Sequence, residues 1–208
     1  MGLMSSAEVS QQPDRFTTAE RSALLVLARD SIVTHLQGQE PDKDHEILIG
    51  VQQQGACFVS LHTHGPGPAQ LRGCIGSLEP YRSLVDDVID NARAAAFRDS
   101  RFPAVVMDEL NKIIIDLSIL SPAEPVQFES EIDLLSKLRP GIDGLILEEG
   151  FHRGTFLPVV WEQLVEPEEF LSHLKLKAGL PARHWSDAIR ILRYTTESFG
   201  EQNFAGSE

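Results

Sequence analysis

Cysteine is scarce. Only Cys57 and Cys74 occur in 208 residues, and they are not spaced as a Cys-x-x-Cys pair, so no disulfide framework or local zinc quartet can be assembled from them. That usage fits a reduced, cytoplasmic setting. No stretch approaches the roughly 20 apolar residues of a membrane span. The start, Met1 to Asp14, has no basic region followed by an apolar run, so neither a membrane anchor nor a secretory leader is expected. Cations are also few: 18 Lys and Arg against 31 Asp and Glu leave a formal charge of −13, which repels phosphate backbones at long range and disfavours general nucleic-acid binding. There is no Walker loop, no dinucleotide Gly-x-Gly-x-x-Gly and no Gly-x-Ser-x-Gly elbow, which removes the common nucleotide, dinucleotide and hydrolase signatures. With 42% apolar residues the chain can nevertheless bury a substantial core.

What the chain does have is one concentrated stretch, Leu71-Arg72-Gly73-Cys74-Ile75-Gly76. In a regular strand side chains alternate between faces, so Arg72 and Cys74 share one face and Leu71, Gly73 and Ile75 the other. A guanidinium beside a thiol favours the thiolate, which makes Cys74 a candidate nucleophile or metal ligand. Gly73 and Gly76, lacking Cβ atoms, let another backbone or a ligand come close. The competing reading is a small buried core cysteine.

Around this stretch the periodicity is readable. Thr17 and Glu20 have the spacing of a capping box, and Leu24, Leu25, Ala28, Ile32 and Leu36 fall on one face of a helix ending near Gly38. Ala56 to Thr63 alternates as a strand with Cys57, Val59 and Leu61 on its core face; the turn His64-Gly65-Pro66-Gly67-Pro68 then leads into Gln70 to Ile75, a hairpin. His62, His64 and Cys74 could supply three metal ligands near the hairpin end, although His-x-His pairs are common at such ends without a metal. Ser83 to Phe97 predicts a packed helix whose Asp86, Asp87 and Asp90 read as a solvated, dipole-compensating face.

Asp99, Arg101, Phe102 and Pro103 make a polar turn anchored by a buried aromatic, which leaves the two charges at the sheet rim. Lys112 to Leu120 follows as a covered strand. Ile132 to Leu138 predicts a short helix. A second hairpin runs from Gly144 to Glu148 and from Phe151 to Leu157, and its second arm carries Arg153-Gly154 as the first hairpin carries Arg72-Gly73. Each hairpin is followed by a proline, Pro80 or Pro158, and then a helical segment, which hints at duplication. Helices over Val159 to Leu164 and Pro167 to Ala178 precede a closing strand at Ile189 to Thr195. Strands arriving in pairs, with helices between the pairs, indicate an α+β fold.

Taken in order, the six-residue motif, Asp99-x-Arg101-Phe102-Pro103, Ser118-Ile119-Leu120-Ser121-Pro122, Gly154-Thr155-Phe156-Leu157-Pro158 and Lys177-Ala178-Gly179-Leu180 resemble the AMMECR-one-domain family over roughly Thr17 to Phe199. The resemblance implies two interwoven subdomains, each a duplicated unit of three strands, two helices and one strand, with mainly antiparallel sheets. Residues 1–16 and 200–208 are then tails. It also implies the company of a Memo-like protein and a radical SAM protein. It names no reaction and no cofactor. Lys175 stands where members often place a second cysteine, which argues against a two-cysteine scheme. Carried onto this chain, the family motif falls on Arg72, Gly73, Cys74 and Gly76, with Asp99 and Arg101 next; the expected catalytic set is Cys74, Arg72, Asp99 and Arg101, and the expected contacts for substrate or partner are Gly73, Gly76, His62 and Thr155. The leading expectation is an enzyme or enzyme component acting on a small molecule or a modified macromolecule. The alternatives are a non-catalytic adaptor for those partners and an RNA-binding module using Lys175, Lys177, Arg183, Arg190 and Arg193 with Trp185.

Overall fold

The computed structural model describes residues 15–43, 48, 51–64 and 68–203. Helix α1 (Thr18–Leu36) begins at the expected capping box: the Glu20 amide donates to Thr17 Oγ1 at 3.2 Å and the Thr17 amide to Glu20 Oε2 at 2.7 Å. Strands β1 (Cys57–Thr63) and β2 (Gln70–Gly76) form the first hairpin, whose turn at 65–67 lies outside the described residues. Helix α2 (Leu84–Phe97) follows, N-capped by Ser83, and a 3-10 segment at Met107–Lys112 leads into β3 (Ile113–Leu120). Strand β4 is the pair Glu124–Pro125.

The second half repeats this order: α3 (Glu131–Lys137), β5 (Gly144–Glu149), β6 (His152–Phe156), α4 (Pro167–Lys177) and β7 (Arg190–Tyr194), then β8 (Thr196–Gly200). Each unit is therefore helix, hairpin, helix, strand. The two sheets run β2-β1-β3-β8 and β6-β5-β7-β4, with every pair antiparallel. The fourth strand in each is exchanged. β4 leaves β3 to pair with β7, and β8 leaves β7 to pair with β3. Each sheet thus holds three strands and two helices of its own unit plus one strand from the other. The two crossing segments are clasped where they meet, the Ser121 amide donating to the Thr195 carbonyl at 2.8 Å and the Thr195 amide to Ser121 Oγ at 3.0 Å.

Three apolar clusters follow from this layout. Leu24, Ala28 and Ile32 of α1 and Val88, Ala92 and Ala95 of α2 cover Val59, Leu61, Ile115 and Leu117 of the first sheet. In the second unit Leu145, Leu147 and Ile191 pack under Phe170, Leu171 and Leu174, with Trp161 stacked on Phe170 at 3.7 Å. The third cluster is the seam between the sheets, where Ala56 and Leu120 meet Ile146 and Tyr194. Among the described residues no helix is long and apolar enough to cross a membrane.

Some sequence expectations are corrected. Asp87 is not on a solvated face but fully buried, accepting the Cys57 amide at 2.8 Å, Ser77 Oγ at 2.7 Å, Arg82 Nε at 2.9 Å and Asn91 Nδ2 at 2.9 Å. The segment at 189–195 does not close the fold. β7 sits between β4 and β5, and β8 forms the true outer strand beside β3. Of the stretches read as tails, 1–14 and 204–208 lie outside the described residues, whereas Phe16 is buried and Glu201 accepts from Arg29 Nη2 at 2.6 Å and from the Ile115 amide at 2.8 Å. Phe102 is half-buried rather than an interior anchor.

Candidate functional site

Strand register places four residues in one row across the first sheet: Cys74 opposite Ser60, Ser60 opposite Asp116, and Asp116 opposite Gly200. This row lies on the face away from α1 and α2, because the neighbouring residues Val59, Leu61, Ile115 and Leu117 fill the helix-covered core. Ser60 Oγ donates to Cys74 Sγ at 3.2 Å. One pleat along β1 on the same face, His62 Nδ1 lies 2.9 Å from Asp116 Oδ2. An ionised carboxylate can only accept, so Nδ1 carries the proton of this bond. A Cβ at Gly200 would collide with Asp116 Oδ1, so this glycine is what lets the carboxylate lie over β8 toward His62.

Asp99 and Arg101 reach the motif through its backbone. β2 is an edge strand, and the amide and carbonyl of Cys74 point outward, where Asp99 Oδ2 accepts the amide at 2.9 Å and Arg101 Nη2 donates to the carbonyl at 3.2 Å. Asp99 in turn holds Arg101 bidentately, accepting Nε at 2.9 Å and Nη2 at 2.7 Å, and also accepts the Arg101 amide at 3.1 Å. The pair therefore completes an edge that would otherwise be open. Hydrogen bonding to Arg101 is the main cause that holds the Asp99 carboxyl well below the usual carboxylate range. The Arg101 pKa is raised chiefly by Asp99, with the charge of Cys74 acting in the same direction. The rim pair expected from sequence is thus half wrong. Asp99 is buried at 6% exposure, while the Arg101 side chain is 55% exposed.

Arg72 is not the cation beside the thiol. Leu71 pairs with His62 and Gly73 with Leu61, so the ladder skips Arg72 in a β-bulge and the alternation that would align it with Cys74 is broken. Its guanidinium is buried and donates to Glu109 Oε1 at 3.3 Å and Oε2 at 3.1 Å, while Nη1 is buried with no hydrogen-bond partner among the described residues. Pairing with Arg72 lowers the Glu109 pKa.

The other expected residues separate. A Cβ at Gly73 would strike the Ala95 carbonyl, and its counterpart Gly154 meets the Ala178 amide nitrogen at 2.8 Å, so both glycines seat a helix end on a hairpin. A Cβ at Gly76 would enter the ring of Phe58. Thr155 is in the second sheet, donating to the Leu145 carbonyl at 2.8 Å and lying 3.1 Å from the Tyr194 hydroxyl. His62, His64 and Cys74 do not gather: among the described residues no group of three His, Cys, Asp or Glu is placed to hold a metal. The basic strip is not one surface either. Lys175 is buried with Nζ 2.5 Å from Glu131 Oε1, and Lys177 lies over the Phe156 ring at 4.9 Å. Cys57 is fully buried, and that burial pushes its thiol pKa up. Sequence reasoning passed over Ser60, Glu109 and Asp116, although Ser60-x-His62 and Asp116-x-Ser118 already carry the strand alternation that marks an uncovered polar face.

The AMMECR1 family profile matches residues 25–199. Protein MJ0810 of Methanocaldococcus jannaschii is 37% identical over 190 residues, covering 90% of this chain and 93% of that protein. A Thermotoga maritima protein is 42% identical over 162 residues, covering 77% and 85%. The crystal structure of the uncharacterized protein PH0010 from Pyrococcus horikoshii superposes with a TM-score of 0.81 at 32% identity, covering 91% of this chain and 95% of that one. The chain belongs to the AMMECR1 family.

Proposed function

We propose that the chain is an enzyme, or an enzyme component, whose chemistry runs through the Cys74 thiol on the uncovered face of the first sheet. One comparison carries this reading. The internal duplication supplies a control row at the equivalent position of the second sheet, Thr155, Ile146, Leu192 and Pro125, and that row is apolar apart from Thr155 and faces the seam. The same backbone positions in the first sheet carry Cys74, Ser60, Asp116 and Gly200. Covering by the seam makes the second row apolar, and exposure asks only for some polar residues in the first; what exposure does not specify is a thiol, a hydroxyl bonded to it and a carboxylate bonded to a histidine. Cys74 is then the nucleophile: its thiol, with Ser60 Oγ at 3.2 Å and Arg101 on its own carbonyl, adds to an electrophilic carbon double-bonded to a heteroatom, the π pair moves onto that heteroatom, and the His62–Asp116 pair on the same face takes the thiol proton. Arg101, half-exposed, holds an anionic group of the substrate. Arg72 drops to a structural role.

None of the three described cavities, of about 300 to 440 Å³, is lined by Cys74, His62 or Asp116. An open face of this kind suits a modified macromolecule, or a substrate presented by a partner of the Memo-like or radical SAM type, better than a small free metabolite. The same openness favours the second reading, a non-catalytic adaptor docking through this face. Brief iodoacetamide treatment at neutral pH with mass spectrometry tests the enzyme reading: Cys74 should label far ahead of Cys57, and Arg101→Gln should slow it several-fold. Equal labelling, or a Cys74 rate indifferent to both Arg101→Gln and His62→Gln, would leave only the adaptor.

A further inference from the structure

The row adjacent to the seam in the second sheet is also unlike its counterpart. Glu148 pairs with Arg153 on one side and Arg190 on the other, giving Arg153, Glu148 and Arg190 across three strands. By register the equivalent positions of the first sheet hold Leu71, His62 and Ile114, because the bulge takes Arg72, the sequence counterpart of Arg153, out of the row. Two arginines sharing one carboxylate are not a requirement of the fold. They open into a cleft of about 440 Å³ between the units, which is within the range of small-molecule sites. Its floor is apolar, with Ala56, Leu120, Ile146 and Leu192, and Arg15 closes another side.

We propose that this cleft binds a small organic oxyanion, a carboxylate or phosphate carried on an apolar body. Arg15, Arg153 and Arg190 face Glu79 and Glu148, three cations against two anions, in a chain whose formal charge is −13. A local excess of positive charge in so acidic a protein draws anions to this point. Arg190 is positioned to receive one. Its Nη1 lies 3.8 Å from Glu148 Oε2, beyond hydrogen-bond distance, and its side chain is 72% exposed. Arg153 is held by Glu79 Oε1 at 2.5 Å and Glu148 Oε1 at 3.4 Å, and Glu79 comes from the first unit, so an incoming oxyanion takes the place of a carboxylate that spans the junction. A guanidinium fork matches either a carboxylate or a phosphate, while the floor of alanine, leucine and isoleucine takes the apolar body.

The proposal is independent of Cys74. Isothermal titration of the full chain with phenyl phosphate, benzoate, inorganic phosphate and phenol tests it. Either phenyl phosphate or benzoate is expected to bind at about 1 mM or tighter, and whichever is tighter names the oxyanion. Inorganic phosphate and phenol, each lacking half of the recognition, should bind at least tenfold more weakly. Arg190→Gln, on an exposed side chain whose contact with Glu148 is a loose 3.8 Å, should weaken binding about tenfold or more at an unchanged thermal midpoint, and Cys74→Ser should leave it untouched. The proposal is overturned by no binding of either aromatic anion at about 10 mM, by affinity unaltered in Arg190→Gln, by inorganic phosphate binding as tightly as phenyl phosphate, or by loss of binding in Cys74→Ser.

Discussion

Removing the Asp99 carboxylate separates an anchor from an ornament. Asp99 accepts four hydrogen bonds, from the Cys74 amide and from the amide, Nε and Nη2 of Arg101. In Asp99→Ala the Cys74 amide loses its acceptor at a covered edge, which costs about 1–3 kcal/mol. The ion pair adds less, about 0–1 kcal/mol, because the Arg101 side chain is 55% exposed and screened. The expected loss is about 1–4 kcal/mol, a substantial part of an ordinary domain's stability. Asp99→Asn keeps an acceptor for the Cys74 amide and should lose about 1 kcal/mol. The pH dependence has a definite sign. The folded carboxyl is held below its unfolded value of about 3.9, so its contribution is fully present above about pH 5 and is lost as pH falls below about 4 toward the folded value. Urea titrations at pH 7 and pH 3 should therefore show the gap between wild type and Asp99→Ala narrowing on acidification. A variant within about 0.5 kcal/mol of wild type at pH 7, with the same acid slope, would refute the anchor argument.

Gly73→Ala should destabilise by about 2–4 kcal/mol in urea, because its Cβ meets the Ala95 backbone carbonyl and not a movable side chain; Gly154→Ala, against the Ala178 amide, should behave alike. Glu109→Gln leaves the buried Arg72 guanidinium without its counter-charge and should cost about 1–3 kcal/mol, less than the roughly 3–5 kcal/mol of a fully buried pair because the Glu109 side chain is 36% exposed and screened. In that variant Cys74 alkylation should keep its wild-type rate, since the cation near the thiol is Arg101; slowing without unfolding would return Arg72 to the site.

Local features with local causes were legible in the sequence. The Thr17 and Glu20 capping box, the Ser83 to Phe97 stripe and both hairpins follow from short-range chemistry, and the paired Arg-Gly dipeptides reflected a real duplication. Features fixed by distant partners were not. The bulge at Arg72 exists only in the pairing of β2 with β1, so alternation read along one strand put Arg72 beside Cys74. β8 has the composition of a polar terminus and becomes a strand because exchange leaves β3 an open side. Asp87 reads as a helix-start acid, yet the Cys57 amide, Ser77 and Arg82 converge on it from outside the helix. Within the site, Cys74, Asp99 and Arg101 lie together, while Asp116 was hidden inside an apolar run read as a covered strand.

The duplication also gives Thr155 a testable role. It occupies the position of Cys74, one residue after the glycine that seats the following helix, and it faces the seam where Tyr194 is buried. Its hydroxyl donates to the Leu145 carbonyl, and burial raises the neighbouring Tyr194 pKa to about 12. Tyr194 Oη keeps a second partner in the Phe156 carbonyl at 3.1 Å. Thr155→Val, similar in shape, should therefore remove one modest hydrogen bond and cost about 1 kcal/mol, without exposing the tyrosine hydroxyl to an unpartnered state. Cys74 alkylation and any activity traced to Cys74 should be unchanged. If the two copies had kept one shared function, the variant would do the reverse, leaving stability intact and impairing activity. That result would undo the use of the second sheet as a control for the first, and with it the strongest argument that the Cys74 row is there for chemistry.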